Sequence, residues 1–99
     1  MGIEKEINAR ATVSPMGFTA ERIVSGEADV AIQQLSELKQ VNGIEIVGSL
    51  PHHLQTPAVF SAGRMAGSNQ IAASELLLTF LASPEATPAL LESGLERLA

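Results

Sequence analysis

The chain has 99 residues, a formal net charge of −5, and 45% apolar against 17% charged residues. This balance is typical of one small folded domain and excludes a disordered chain. The six Lys and Arg residues are scattered, which argues against a surface that neutralises nucleic-acid phosphates. Because there is no cysteine, disulfides, thiolate chemistry and cysteine-ligated zinc are excluded.

The N-terminal segment is charged and short. Residues 1–6 lack the basic and apolar regions of an export signal, so we expect this chain, as it stands, to be cytoplasmic. No apolar run approaches the roughly 20 residues of a membrane span, and direct membrane insertion is not expected. The sequence of residues 2–11 predicts a frayed helical turn. This turn leads into a predicted strand at about 9–13, which begins before the segment ends.

The segment after this strand carries the start and stop signals of a helix. Ser14 can accept a hydrogen bond as N-cap and Pro15 fits the first helical position, while Gly26 supplies the stop. Apolar residues at helical spacing between them predict a helix over 16–25. Residues 28–32 are apolar and rich in β-branched side chains, which indicates a buried parallel strand.

The middle of the chain predicts short elements. Residues 35–38 indicate a brief helical turn, and the dipeptide Asn42-Gly43 is a turn signal. Further strands are predicted at 44–47 and 58–62.

The last third predicts two helices. The first, over 70–82, is apolar on more than one face, and such a helix expects burial on several sides. The second begins at Ser83-Pro84, an N-cap followed by a proline at the first position, and ends at Gly94. A sheet of three or four short strands covers only one side of the first helix.

The order of these elements is β-α-β-β-β-α-α. It predicts an α/β fold, a single lobe over residues 1–99 in which a small mixed sheet is flanked by helices.

Several segments together resemble type 2 periplasmic binding proteins. Residues 22–38, with Gly-Glu-Ala-Asp at 26–29, resemble the helix–strand–switch segment of those proteins. Residues 43–51 and 60–63 narrow the resemblance to the molybdate-type solute-binding proteins of ABC transporters. The similarity extends through residues 72–73, 80–86 and 94–96.

This resemblance implies a two-lobed clamp that closes on a small solute and delivers it to the membrane subunits of an ABC importer. The parent family is periplasmic or extracellular. The implied ligand is a small oxyanion such as molybdate, held by backbone N–H groups and neutral polar side chains. The chain then corresponds to a second-lobe fragment whose first lobe is absent, and the final helices pack partly against that missing lobe.

Two places match the implied anion site. Ser14, Met16 and Gly17 stand at the predicted helix start, where unpaired N–H groups and the helix dipole favour an anion. Gln33 and Gln34 follow the strand at 28–32, at the carboxyl edge where open α/β sheets bind ligands. The alternatives are an ordinary N-cap for Ser14 and a solvated loop for the two glutamines.

Two further places carry side chains that could bind a ligand or a metal ion. The molybdate-type branch often carries a tyrosine near the position of Thr56, so Thr56 is a candidate ligand contact and a departure from the family pattern. Adjacent His52 and His53 point in different directions on any regular element, and no third ligand is placed to complete a metal site. We expect them to lie in a surface loop.

The charged candidates favour structural roles. Arg64 could meet an anion, but a solvated arginine is the simpler interpretation. Glu27 and Asp29 are spaced like paired carboxylates, yet no partner nucleophile or base accompanies them, which favours turn and capping roles. With no nucleophile–base pair, metal cluster or Gly-rich phosphate loop, we expect no enzymatic role and no cofactor.

The apolar surface over residues 70–93 predicts a homo-oligomer. A second functional hypothesis is a cytoplasmic effector-binding or interaction module derived from such a lobe. An upstream reading frame encoding the first lobe would separate the two hypotheses.

Overall fold

The computed structural model describes residues 2–98, and these form short helices joined by long irregular segments. Two single turns of 3-10 helix lie at His52–Leu54 and Pro84–Ala86. The α-helices of this part of the chain are α1 (Glu4–Arg10), α2 (Glu21–Val24), α3 (Leu35–Leu38), α4 (Ile71–Ala82) and α5 (Thr87–Glu92).

No β-strand occurs within residues 2–98, so the predicted α/β fold with a small mixed sheet is wrong for this part of the chain. The apolar runs predicted as strands have the right side chains, but a strand forms only when a neighbouring strand accepts and donates its hydrogen bonds. Val30 and Ile32 are 76% and 71% exposed and contact no sheet face. The predicted strands that the structure lacks are those at 9–13, 28–32, 44–47 and 58–62.

The chain divides into two compact units, the first ending at Glu45 and the second beginning at Ile46. The first contains α1, α2 and α3, and the second contains α4 and α5. Each has a single fully buried apolar residue among those described, Ala20 in the first unit and Ala86 in the second. A single lobe over residues 1–99 stays a prediction.

The helix predicted over 16–25 is much shorter than expected. Gly17 has a φ of +79°, a left-handed conformation that interrupts a right-handed helix. The helix α2 therefore starts only at Glu21, with Ala20 as its N-cap and no side-chain capping bond. Ser14 is not an N-cap. The predicted stop at Gly26 is confirmed, with a φ of +81°.

The helix α4 agrees with the prediction over 70–82, and α3 agrees with the turn at 35–38. The apolar side chains of α4 remain largely exposed, Leu76 to 74% and Leu77 to 58%.

The predicted second C-terminal helix is split into a 3-10 turn and α5. Pro88, in the first turn of α5, has no N–H to donate to a carbonyl of the preceding turn, so the α-helical hydrogen bonds do not extend back through the 3-10 turn that directly precedes α5. Ser83 separates α4 from this turn, and its hydroxyl donates to the Phe80 carbonyl oxygen at 2.6 Å. The Arg97 guanidinium closes the end of α4 by donating to the carbonyl oxygens of Leu81, Ala82 and Ser83.

Within the described residues, no helix has both the length and the apolar character needed to cross a membrane.

Candidate functional site

A groove of about 310 Å³ lies in the first unit, along the segment that leads into and out of α2. Its wall contains hydroxyls, carboxylates, one guanidinium and two large apolar side chains. The lining residues are Ser14, Met16, Phe18, Glu21, Arg22, Ser25 and Glu27.

Four of these residues form a hydrogen-bonded group, here called the Arg22 cluster: Ser14, Arg22, Ser25 and Glu27. Nε of Arg22 donates to Oγ of Ser14 at 2.8 Å, and Nη1 donates to Oε2 of Glu27 at 2.7 Å. The Ser25 hydroxyl lies 3.1 Å from two acceptors, Oε1 of Glu27 and the Arg22 carbonyl oxygen. The cluster therefore holds one carboxylate between a guanidinium and a hydroxyl.

The turn after α2 brings Glu27 back towards Arg22. Gly26 adopts the left-handed conformation at this point, and its N–H donates to the Ile23 carbonyl oxygen at 3.1 Å. The N–H groups of Glu27 and Ala28 then both donate to the Arg22 carbonyl oxygen, at 2.9 and 3.1 Å. This is the geometry of a glycine-terminated helix end, and it fixes the backbone under the ion pair.

The Gln33 side chain holds the loop that precedes α2. Its Oε1 accepts from the backbone N–H of Thr19 at 2.9 Å and lies 3.2 Å from the Thr19 hydroxyl. Its Nε2 donates to the Gly17 carbonyl oxygen at 3.2 Å. Both ends of the amide are thus used inside the unit, and Gln33 supports the loop beside the groove.

Four of the residues predicted for the ligand site lie in this groove or beside it. Ser14 and Met16 line the groove, and Gly17 is tied to Gln33 directly beside it. Gln34 is exposed at the N-cap of α3 and has no side-chain capping bond.

Thr56 belongs to the second unit, in an exposed irregular segment that follows the turn at His52–Leu54. That histidine turn is likewise exposed. Among residues 2–98, no group of three His, Asp or Glu side chains is arranged to hold a metal ion.

Arg22 and Ser25 were not predicted as site residues, because both fall inside the segment predicted as a helix over 16–25. The available signal was the spacing itself: an arginine, then a serine, a helix-stopping glycine and a glutamate within six positions. A glycine stop reverses the chain, so it can return a carboxylate to an arginine in the preceding turn.

A second groove, of about 360 Å³, lies in the second unit around Arg64. Nη1 of Arg64 is 3.9 Å from Oε1 of Glu75, a long and weak ion pair. Apart from Arg64, this groove is lined by glycine, serine and one methionine: Gly63, Met65, Gly67, Ser68 and Ser74. It has no hydrogen-bonded cluster like that of the first unit among its lining residues.

The chain is similar to a protein of a Pseudomonas species named aconitate isomerase, with 38% identity over 96 residues. The aligned region is 97% of this chain and 37% of that relative, so the chain spans just over a third of the relative's length. This similarity contradicts the prediction that the chain has no enzymatic role. That prediction rested on the absence of a nucleophile–base pair, a metal cluster and a Gly-rich phosphate loop from the sequence. No solved structure matches the chain.

A family model described as bacterial extracellular solute-binding protein matches residues 1–96. The resemblance to solute-binding proteins is thereby confirmed at the level of the family, whereas the molybdate-type branch is not. Its members are extracellular by description, and the match covers both units of the structure. The chain belongs to the bacterial extracellular solute-binding protein family.

Proposed function

We propose that this chain supplies part of the ligand-binding region of an extracellular solute-binding protein, and that its ligand is a small anion. The supporting observation is the open groove of the first unit, where Arg22 stands among hydroxyl groups beside a loop held by Gln33. Guanidinium and hydroxyl donors suit an anion that carries several oxygen atoms.

Two classes of anion compete as the ligand. The name of the relative in Pseudomonas favours a tricarboxylate such as aconitate. The resemblance to molybdate-type proteins favours a small tetrahedral oxyanion. We take the tricarboxylate as the leading candidate, because the groove already accommodates a carboxylate, that of Glu27.

Within this proposal, Ser14, Met16 and Gly17 lie at the ligand and Gln33 supports them. Gln34 and Thr56 stay predicted ligand contacts. The membrane subunits of an ABC importer are the proposed protein partners of the whole protein, as for the family.

The exposed apolar side chains of α4 support a further part of the proposal, self-association through residues 70–93. Leu76 and Leu77 are both more than half exposed, and water contact with such a surface is unfavourable.

A second candidate function is isomerisation of an unsaturated carboxylic acid, favoured by the 38% identity to a named aconitate isomerase. Moving a C=C bond along such an acid requires removing a proton from one carbon and returning one to another. A carboxylate can serve as the base, and Glu21 and Glu27 are the carboxylates that line the groove. Incubation with cis-aconitate in D₂O, followed by proton NMR, tests this: the trans isomer and deuterium incorporation are expected.

The binding function is tested by titrating the chain with trans-aconitate, succinate, molybdate, sulfate and phosphate, with calorimetry or ligand-observed NMR as readout. We expect weak saturable binding, strongest for trans-aconitate, because the groove is open and most of its wall is exposed. Tighter binding of molybdate than of any carboxylate would favour the oxyanion class. Absence of saturable binding for all five anions would contradict the proposal.

A further inference from the structure

We infer that the Arg22 cluster is a carboxylate-binding site in which the side chain of Glu27 occupies the place of the ligand carboxylate. The inference deepens the proposed function and rests on it, because it names the atoms that would bind the small anion. Neither the family description nor the name of the relative assigns these residues.

The geometry around Glu27 is that of carboxylate recognition. One oxygen, Oε2, accepts from Nη1 of Arg22 at 2.7 Å, and the other, Oε1, lies 3.1 Å from the Ser25 hydroxyl. Charge-assisted N–H···O bonds of this length are among the strong hydrogen bonds of proteins. The protein therefore displays, on its own side chain, the contacts that a ligand carboxylate would make.

The Ser14 contact orients the guanidinium for this role. Oγ of Ser14 accepts from Nε of Arg22 at 2.8 Å, and this bond restricts the orientation of the guanidinium plane. Accepting this bond leaves the Ser14 hydroxyl hydrogen able to donate to a second ligand oxygen. Two of the three Arg22 nitrogens carry the observed contacts, and a guanidinium has five N–H donors, so donors remain for a ligand with more than one carboxylate.

The ion pair is accessible and replaceable. The side chains of Arg22 and Glu27 are 42% and 58% exposed, so a dissolved anion reaches both. Exposed ion pairs contribute little to stability, and the exchange of Glu27 for a ligand carboxylate replaces one such contact by an equivalent one. Glu27 then acts as an internal competitor that lowers the affinity for every carboxylate ligand by the same factor.

Glu21 provides the matched control. It lines the same groove and carries the same charge as Glu27, but the side-chain hydrogen bonds and the ion pair of Arg22 go to Ser14 and Glu27. Replacing either glutamate by glutamine removes one negative charge from the groove, so only a difference between the two variants reports the competition for Arg22.

The experiment measures the dissociation constant of trans-aconitate by NMR titration for the wild-type chain and for Glu27→Gln, Glu21→Gln, Arg22→Gln and Arg22→Lys. We expect Glu27→Gln to bind about 1.4- to 5-fold more tightly than Glu21→Gln, the range set by an exposed ion pair. Arg22→Gln should bind at least about 10-fold more weakly than wild type. Arg22→Lys keeps the charge but loses the planar fork, so it should not restore wild-type binding. The dispersion of amide signals verifies that each variant is folded.

The outcomes separate the two claims. Equal affinity of Glu27→Gln and Glu21→Gln, with loss of binding in Arg22→Gln, would overturn the competition while leaving the proposed function intact. Unchanged affinity in Arg22→Gln would overturn the site itself. No binding of trans-aconitate to the wild-type chain would remove the proposed carboxylate ligand and, with it, this inference.

Discussion

At the scale of single residues, the first unit depends on polar side chains because it buries few apolar ones. Ala20 is its fully buried apolar residue among those described, so the loop before α2 has little hydrophobic support. The Gln33 amide supplies an alternative, since it contacts Thr19 twice and Gly17 once. A half-buried amide with all these partners restricts the motion of the loop. Without it, the backbone amide hydrogens of the loop would exchange more readily with water.

Gln33→Ala should release this loop. We expect the free energy of unfolding of the first unit to fall by about 1–2 kcal/mol, because the Thr19 N–H loses its acceptor. Hydrogen exchange of the Thr19 amide should accelerate, as measured by NMR. Gln34→Ala is the control, since Gln34 is the adjacent, exposed glutamine without a capping bond. Equal effects of the two substitutions would show that the Gln33 bonds do not hold the loop.

Glu85 gives a pH-dependent prediction in the second unit. Its own backbone N–H holds the pKa of the Glu85 carboxyl below its ordinary value of 4.5. A carboxyl with a lowered folded-state pKa stabilises the folded state fully above its unfolded pKa, and this stabilisation is lost as pH falls through the folded pKa. An NMR titration of Glu85 should give a midpoint below 4.5. A wild-type midpoint at or above 4.5 would contradict this account.

At the scale of elements, α2 and the turn after it decide where the charged groups of the groove lie. The helix is only four residues long, so its backbone contributes little stability by itself. Because the helix ends at Gly26, the chain turns there and brings Glu27 next to Arg22.

Gly26→Ala should destabilise this turn by about 1–2 kcal/mol, since a left-handed φ of +81° is costly for a residue with a Cβ atom. The space around both Gly26 and Gly63 is open, but Gly63 is not left-handed. Gly63→Ala is therefore the matched control and should be neutral or slightly stabilising. Urea unfolding of both variants measures the difference; equal stability would show that the turn is not strained by a side chain.

The helices and the strands differ in how far the sequence predicts them. The signals of α4 are local, an apolar pattern ended by Ser83-Pro84, and its bounds agree with the prediction within a residue. The strand at 28–32 has equally good composition, but a strand depends on a distant partner that composition does not specify. The helix predicted over 16–25 is longer than α2 because the prediction followed the apolar spacing. The left-handed backbone of Gly17 prevents the helix from starting before Glu21.

At the scale of the whole molecule, exposed apolar surface is the dominant feature of both units. Val47, at 98% exposure, and Leu76, at 74%, are examples from the second unit. Such a surface favours association with other polypeptide, whether the remainder of a longer protein of this family or a second copy. Isolated apolar residues are common on protein surfaces, so the contiguous ones on α4 carry the argument.

The double substitution Leu76→Gln, Leu77→Gln should reduce self-association of the chain, because it removes contiguous exposed apolar area from α4. Sedimentation velocity at micromolar concentration should show a wild-type oligomer and a smaller species for the variant. Val47→Gln, which removes an exposed apolar side chain outside the helices, should leave the oligomer unchanged. A monomeric wild-type chain would contradict the proposal of self-association.

The ligand-binding roles of the six residues predicted for the site stay predictions. Ser14 and Met16 do line the groove, for a reason other than the expected helix start. The Gly26 stop is predicted from the sequence, but the hydrogen bond that it permits between Arg22 and Glu27 is seen only in the structure. The similarity to a protein named aconitate isomerase does not follow from any motif of the sequence.

The most direct test of the account is a residue-resolved map of where trans-aconitate binds. Amide and side-chain NMR shifts of the isotope-labelled chain should change saturably at Ser14, Arg22, Ser25 and Glu27, with smaller changes around Arg64. Saturable shifts confined to the Arg64 groove, or none in the Arg22 cluster at ligand saturation, would contradict the central claim that the first unit holds the ligand carboxylate.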